Sequence, residues 1–379
     1  MKYYIIAGEA SGDLHGSNLI KELFRKDEHA AIRCWGGDKM QAAGATLVKH
    51  YKELAFMGFT EVLKNLRTIF RNLAFCKQDI LAYKPTVLIL IDYPGFNLRI
   101  AKWAKQQGFT VIYYISPQVW AWKANRVKMM KQCIDKMICI LPFEKDYYKQ
   151  RWDWEVEYVG HPLVEVVDNW LLTIDPNEQP ITNSELQSTS NIIALLPGSR
   201  KQEILKKLPI MLQVAKHFPS YQFIVAKAPG LEDHFYNDLL QPYHNVSAVA
   251  NKTYALLSRS SAALVTSGTA TLETALFSVP EVICYKGNVI SYQIAKRLIK
   301  IKFIGLVNLI MDKEVVKELI QDKLTVKNLR FELNELLSNP VKQQQLKADY
   351  TQLKNILSLG GHASANAAAR IYSFLESKG

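Results

Sequence analysis

The chain of 379 residues is 49% hydrophobic, 11% aromatic and 22% charged, a balance that can bury a large core and excludes disordered, collagen-like and fibrous proteins. Its 47 Lys and Arg against 35 Asp and Glu give a formal net charge of +12, which favours anionic partners such as nucleic acid, anionic lipid or phosphorylated metabolites. Five widely spaced cysteines without a CxxC pair suggest neither a disulfide framework nor a zinc site and fit a reduced, cytosolic setting.

Reading from the amino end, Met1–Ala7 meets Gly8 and Glu9 too soon for the apolar core of a secretory signal. No charge-free apolar stretch reaches the ~20 residues of a bilayer span, so any membrane contact is expected to be peripheral. Short apolar runs, each followed by a polar or glycine-containing turn and a helix-period pattern, predict βα units feeding a parallel sheet. The expected strands are 2–7, 32–35, 87–91, 110–115, 136–140 and 157–159. Residues 173–191, polar and interrupted by Pro176 and Pro180, read as a linker or surface excursion. The alternation restarts with strands at 192–196, 222–226, 262–266 and 282–285. The expected organisation is an amino-terminal domain over 1–172, a linker over 173–191, a second domain over 192–345 and closing helices over 346–379 that can pack back on the first. The fold class is α/β, with two Rossmann-like doubly wound domains whose strand ends face a ligand across a cleft.

Five motifs fall at expected strand ends. Gly8-Glu9-Ala10-Ser11-Gly12-Asp13 follows the first strand and opens a helix that also carries His15. Its glycines permit a tight turn and expose amide N–H groups to a phosphate or hydroxyl ligand, although a plain βα turn capped by Asp13 or Ser11 reads equally well. The apolar run Val87–Ile91 ends in Asp92, followed by Pro94, Gly95 and Asn97. Asp92 is placed to act as a general base or to cap the next helix. In Ser116–Trp122, Gln118, Trp120 and Trp122 offer either stacking surfaces for a sugar or ordinary packing. Pro197-Gly198-Ser199-Arg200 combines turn amides with a guanidinium fork suited to phosphate oxygens. In Thr266–Glu273, the small residues Ser267, Gly268 and Thr269 admit a diphosphate at a helix start, while Glu273 can accept from ribose hydroxyls or complete a capping box.

Two further features are weaker. Leu63, Leu66, Phe70 and Leu73 share a helical face with Phe56, Met57 and Phe59 ahead of them and Lys64, Arg67 and Arg71 beside them. This is either a basic amphipathic helix for an anionic lipid interface or a surface helix packed on the core. The eight histidines form no metal-ligand spacing; His161, in Gly160-His161-Pro162, is notable for its place where the first domain ends. No metal and no cofactor are expected.

Together, GEASGDLHG (8–16), FMGFTEVL (56–63), IDYPGFN (91–97), YISPQVWAWK (114–123), LPFEKDYY (141–148), YVGHPL (158–163), LLPGSR (195–200), SGTATLE (267–273) and VNLI (307–310) closely resemble the lipid-A-disaccharide synthase family. The resemblance implies an inverting glycosyltransferase of the two-Rossmann-domain, GT-B type, peripheral on the cytoplasmic face of the inner membrane of an outer-membrane-bearing bacterium. It implies transfer from UDP-2,3-diacylglucosamine to 2,3-diacylglucosamine 1-phosphate (lipid X), with β-1,6-linked disaccharide 1-phosphate and UDP as products. Nucleic acid is not an implied partner, and a homodimer is left open. By matching motif, Asp92 resembles the family's essential aspartate and Arg200 the diphosphate-binding arginine. Gly198, Ser199, Ser267, Gly268, Thr269, Glu273 and Asn308 fall in segments that contact nucleotide. An acceptor or cleft role for Gly8, Ser11, Gly12, Asp13, His15, Asn97, Gln118, Trp120 and His161 is inferred from position. Many relatives carry a second acid where Gly95 stands, so that acid is not required here.

Two rivals keep a place beside this reading. One is another UDP-sugar enzyme on the same fold, such as an epimerase or a transferase to a polyprenyl-linked acceptor. The other is a membrane-bound nucleotide sensor, which would not need Asp92.

Overall fold

A computed structural model describes residues 1–54, 66–173, 191–228, 231–288, 292, 302–358 and 361–378. Its first sheet contains β1 (Lys2–Ala7), β2 (Ala31–Gly36), β3 (Thr46–His50), β4 (Val87–Ile91), β5 (Thr110–Tyr114), β6 (Lys136–Cys139) and β7 (Glu157–Tyr158), in the order β3-β2-β1-β4-β5-β6-β7. The second contains β8 (Ile192–Leu196), β9 (Gln222–Lys227), β10 (Val246–Ala250), β11 (Ala262–Thr266), β12 (Glu281–Tyr285) and β13 (Lys317–Ile320), in the order β10-β9-β8-β11-β12-β13. All their strand pairings are parallel.

The central strands are apolar along their whole length because a parallel sheet flanked by helices is covered on both faces. Val87–Ile91 and Ala262–Val265 are fully buried, and each large aliphatic among them contributes ~1.5–3 kcal/mol by leaving water. In each sheet the strand order reverses once, between β1 and β4 and between β8 and β11. Loops at those two reversals diverge beyond the strand carboxyl ends and leave room for a ligand.

Three edge strands, β3, β10 and β13, escape the apolar-run reading. Their sequences TLVKH, VSAVA and KELI mix polar and small residues, and their burial is partial. An edge strand has only one sheet neighbour, so it needs no continuous apolar run.

Two units result. The first comprises Met1–Pro162 and Leu357–Gly379, the second Leu163–Ile356. The expected first boundary at 172 therefore moves to 162: the helix Pro162–Thr173 belongs with the second unit. Trp170 packs edge-on against Phe277 at 5.4 Å and Tyr254 at 6.0 Å, and Asp168 pairs with Lys354 at 2.6 Å. The later boundary moves from 345 to 356, because the helix Pro340–Ser358 buries Leu346, Tyr350 and Leu353 and holds Lys313 through Asp349 at 2.6 Å. The helix Ala363–Glu376 packs on Ala10–Lys26 in the first unit through Ala363, Ala367, Ala368 and Ile371, all buried. Asn366 also donates to the Val159 carbonyl at 3.2 Å. The expected linker lies outside the described residues over 174–190.

Candidate active site

At the first reversal, Ala7 is in register with Ile91, so the Gly8 turn and Asp92 leave adjacent strands side by side. A β-carbon on Gly8 would stand 2.2 Å from the Tyr93 ring; only glycine fits against that ring. Asp92 and Tyr93 both adopt left-handed backbone conformations, with φ of 44° and 48°, a costly pair for non-glycine residues. The conformation is held from several sides. The Asp92 N–H donates to the Tyr114 carbonyl at 3.1 Å. The Asp92 carbonyl accepts from Asn97 Nδ2 at 2.8 Å and from the Tyr113 hydroxyl at 2.5 Å. Asn97, fully buried, also donates to the Ile91 carbonyl at 3.1 Å.

The helix that follows has Tyr93, not Asp92, as its N-cap residue. Burial raises the Asp92 pKa to about 7; the nearby Glu9 charge adds to the rise and a backbone N–H from Tyr93 opposes it. A second carboxyl, Glu144, is buried and accepts from Leu141 N at 3.1 Å and from the Trp120 indole at 3.2 Å. Burial pushes it up to about 8, with Asp92 contributing in the same direction. Glu144 is buried, whereas Asp92 is only partly covered.

Other expected acceptor residues divide into several kinds. Ser11 and Gln118 are exposed, while Trp120 is half-buried with its ring edge-on to Phe143 at 5.0 Å. His15 and His161 are buried imidazoles whose pKa values burial lowers to about 4 and about 3, His15 adding to the effect on His161. Both are therefore neutral near pH 7. Gly12 packs against Ala7, its added β-carbon falling 3.1 Å from the alanine methyl. Asp13 and Asn97 are committed elsewhere. Asp13 takes the N–H groups of Gly37 at 2.7 Å, Met40 at 3.1 Å and Lys39 at 3.2 Å, capping the helix Asp38–Ala42 rather than facing a ligand. Asn97 spends its amide on the Asp92 turn.

The second reversal carries the Gly198 and Gly268 turns, after β8 and β11. Gly198 has φ of +116°, a conformation open to glycine but strained for other residues. Arg200 is the N-cap residue of the helix Lys201–Ala215, exposed on its side chain and 3.2 Å from Glu203 Oε1. Beyond β11, Gly268 and Thr269 are exposed at the start of the helix Thr269–Leu276, and the position of a Gly268 β-carbon is open space. Amides at such a start attract anions. Glu273 accepts from the Tyr254 hydroxyl at 2.8 Å, and burial raises its pKa. Ser267 donates to the Ile304 carbonyl at 3.0 Å. Asn308 does not face a ligand: buried, it donates to the Val316 carbonyl at 2.8 Å and Glu318 at 3.0 Å and accepts from Val315 and Val316 N. Glu318 in turn holds the Ile304 and Gly305 N–H groups, so Asn308 braces the loop that Ser267 touches.

Two buried ionisable side chains, Glu144 and Lys207, were not singled out from the sequence. Lys207 was legible in principle, since it falls among Ile204, Leu208, Met211 and Leu212 on the buried face of its helix. Glu144 gave no comparable signal, because an acid in a first turn reads as capping. Of the membrane candidates, Phe56, Met57 and Leu63 lie outside the described residues, as does the side chain of Leu66. Phe70, Arg67 and Arg71 are exposed on the helix Leu66–Tyr83. Leu73 is 7% exposed and packed in the core with Cys76 and Ile80, which removes it from the expected lipid face.

Two parallel sheets, each reversing its strand order once, define an α/β protein with two doubly wound domains. The fold matches UDP-GlcNAc 2-epimerase from Neisseria meningitidis bound to UDP-GlcNAc, with a TM-score of 0.69 at 14% identity over 100% of both chains. It also matches the glycotransferase of kitacinnamycin, with a TM-score of 0.68 at 12% identity over 99% of both. At the level of sequence, residues 3–371 match the family model for lipid-A-disaccharide synthetase, and the chain belongs to that family. A lipid-A-disaccharide synthase of Geobacter metallireducens is 38% identical over 94% of this chain and 93% of its own. Lipid-A-disaccharide synthase 1 of Legionella pneumophila is 36% identical over 93% and 92%. The chain is a glycosyltransferase of lipid A biosynthesis.

Proposed function

We propose that the chain transfers 2,3-diacylglucosamine from UDP-2,3-diacylglucosamine to the 6-hydroxyl of lipid X with inversion, giving the β-1,6-linked disaccharide 1-phosphate and UDP. Asp92 carries the reading: a carboxyl at the end of a buried strand, fixed through its backbone and titrating near 7, matches a base that takes a proton from a sugar hydroxyl as that oxygen attacks the anomeric carbon. The departing UDP is met by Arg200 and by the amides of the Gly198 and Gly268 turns, donors suited to spreading diphosphate charge. Glu273 is assigned to the nucleoside. Because that charge is met by a guanidinium and amides, no metal is assigned to the step. Among the described residues no helix is long and apolar enough to cross a membrane. The exposed Arg67, Phe70 and Arg71 support peripheral contact with an anionic surface, which we assign to the cytoplasmic face of the inner membrane.

The test is to incubate purified chain with both dispersed substrates and a chelator, following UDP and disaccharide by mass spectrometry. Disaccharide formed at an undiminished rate under chelation is expected. Turnover of non-acylated UDP-N-acetylglucosamine in place of the acylated donor would overturn the substrate assignment.

A further inference from the structure

Lys207 is 3% exposed, yet it stands on a helix face otherwise built from Ile204, Leu208, Met211 and Leu212. A buried ammonium is costly unless it serves a charge nearby. Its Nζ donates to Thr266 Oγ1, on the last residue of β11 before the Ser267-Gly268 turn. The same Nζ is 3.5 Å from where a β-carbon on Gly198 would stand, so it lies against the other turn as well. Its ion-pair partner among the described residues is Glu203, at 3.9 Å, and that carboxylate also takes Arg200 at 3.2 Å. One buried cation therefore underlies both turns at the second reversal and shares a carboxylate with the arginine at their rim.

We propose that Lys207 is a positioning residue for the donor's diphosphate, its ammonium acting through Thr266 and Glu203 to hold both turns and Arg200 in a cationic, anion-ready arrangement. The inference deepens the proposed function and rests on its reading of these turns as the diphosphate site. A fixed positive charge in a poorly solvated site is felt strongly by charge developing on a leaving group and needs no reorganisation when it develops. Burial lowers the Lys207 pKa and Glu203 raises it, so the carboxylate also helps to keep the ammonium charged.

The test titrates UDP, UMP and uridine calorimetrically into the full chain and into Lys207→Met and Lys207→Gln, with melting temperatures measured beside each. Lys207→Met is expected to lose tenfold or more in UDP affinity, less in UMP affinity and nothing in uridine affinity. Its melting temperature without nucleotide should be unchanged or higher, because a buried charge has been removed. Lys207→Gln, which keeps a donor for Thr266 without the charge, should show the same selective loss. Wild-type selectivity for UDP over uridine in both variants, with a lowered melting temperature, would make Lys207 a structural lysine and overturn the proposal. Should the unaltered chain itself bind UDP no better than uridine, the diphosphate reading falls, and this inference with it.

Discussion

An aspartate that titrates near 7 is a better base above neutrality than below it, so turnover should rise with pH through about 7 as Asp92 ionises. The same shift has a cost in stability. A carboxyl in an unfolded chain titrates near ~4, so between about 4 and 7 the folded state binds the extra proton, and stability falls as pH rises across that window. Asp92→Asn removes the buried charge. It is expected to abolish turnover while raising the melting temperature at pH 8 by roughly 2–4 °C, equivalent to about 1 kcal/mol, with little change at pH 4. A melting temperature lowered equally at both pH values would show that the carboxyl is a structural anchor instead. Asp92 was legible in the sequence because an acid directly ends an apolar run. The structural partners of Asp13 and Asn308 were not legible, because the backbone groups that occupy them, at Gly37–Met40 and Val315–Val316, come together only on folding.

Among the elements, the helix Leu66–Tyr83 has a packed face and an exposed one. Leu73, Cys76 and Ile80 are packed inside, whereas Arg67, Phe70 and Arg71 face outward, with Phe70 62% exposed. A periodicity argument finds the helix but cannot tell which apolar residue faces the core when apolar residues occur around most of its circumference. The exposed residues mix guanidinium groups with two aromatics, Phe70 and Phe75, a composition that suits the headgroup region of an anionic bilayer. Phe70→Ser combined with Arg67→Glu and Arg71→Glu should reduce sedimentation with phosphatidylglycerol liposomes severalfold while leaving circular dichroism unchanged. Undiminished sedimentation would assign membrane contact to another surface. The sheets were read with similar unevenness: central strands such as Val87–Ile91 and Ile192–Leu196 match the expected bounds, while β3, β10 and β13, each at a sheet edge, were missed.

At the scale of the whole molecule, the division into units was legible in outline, since the alternation of strands and helices stops and restarts, but its boundaries were not. Trp170 and Asp168 choose the second unit through residues roughly 80 to 190 positions away, a choice no local pattern encodes. The first unit depends on its distant closing segment. Leu357 accepts from His161 N at 3.2 Å and from the Tyr158 hydroxyl at 3.3 Å, and Ala363–Glu376 covers Ala10–Lys26. A chain ending at Ile356 should therefore retain a cooperative transition for the second unit, while the first melts earlier and exposes apolar surface to a hydrophobic dye. An unchanged first transition would show that the closing helix adds little.

That arrangement also sets an order in time. A ribosome releases the chain from its amino end, and domains generally fold as their residues emerge. Here the second unit has all of its residues once Ile356 has emerged, whereas the first, though begun at Met1, waits for Leu357–Gly379. The half that carries Asp92, although first to emerge, is thus completed after the other.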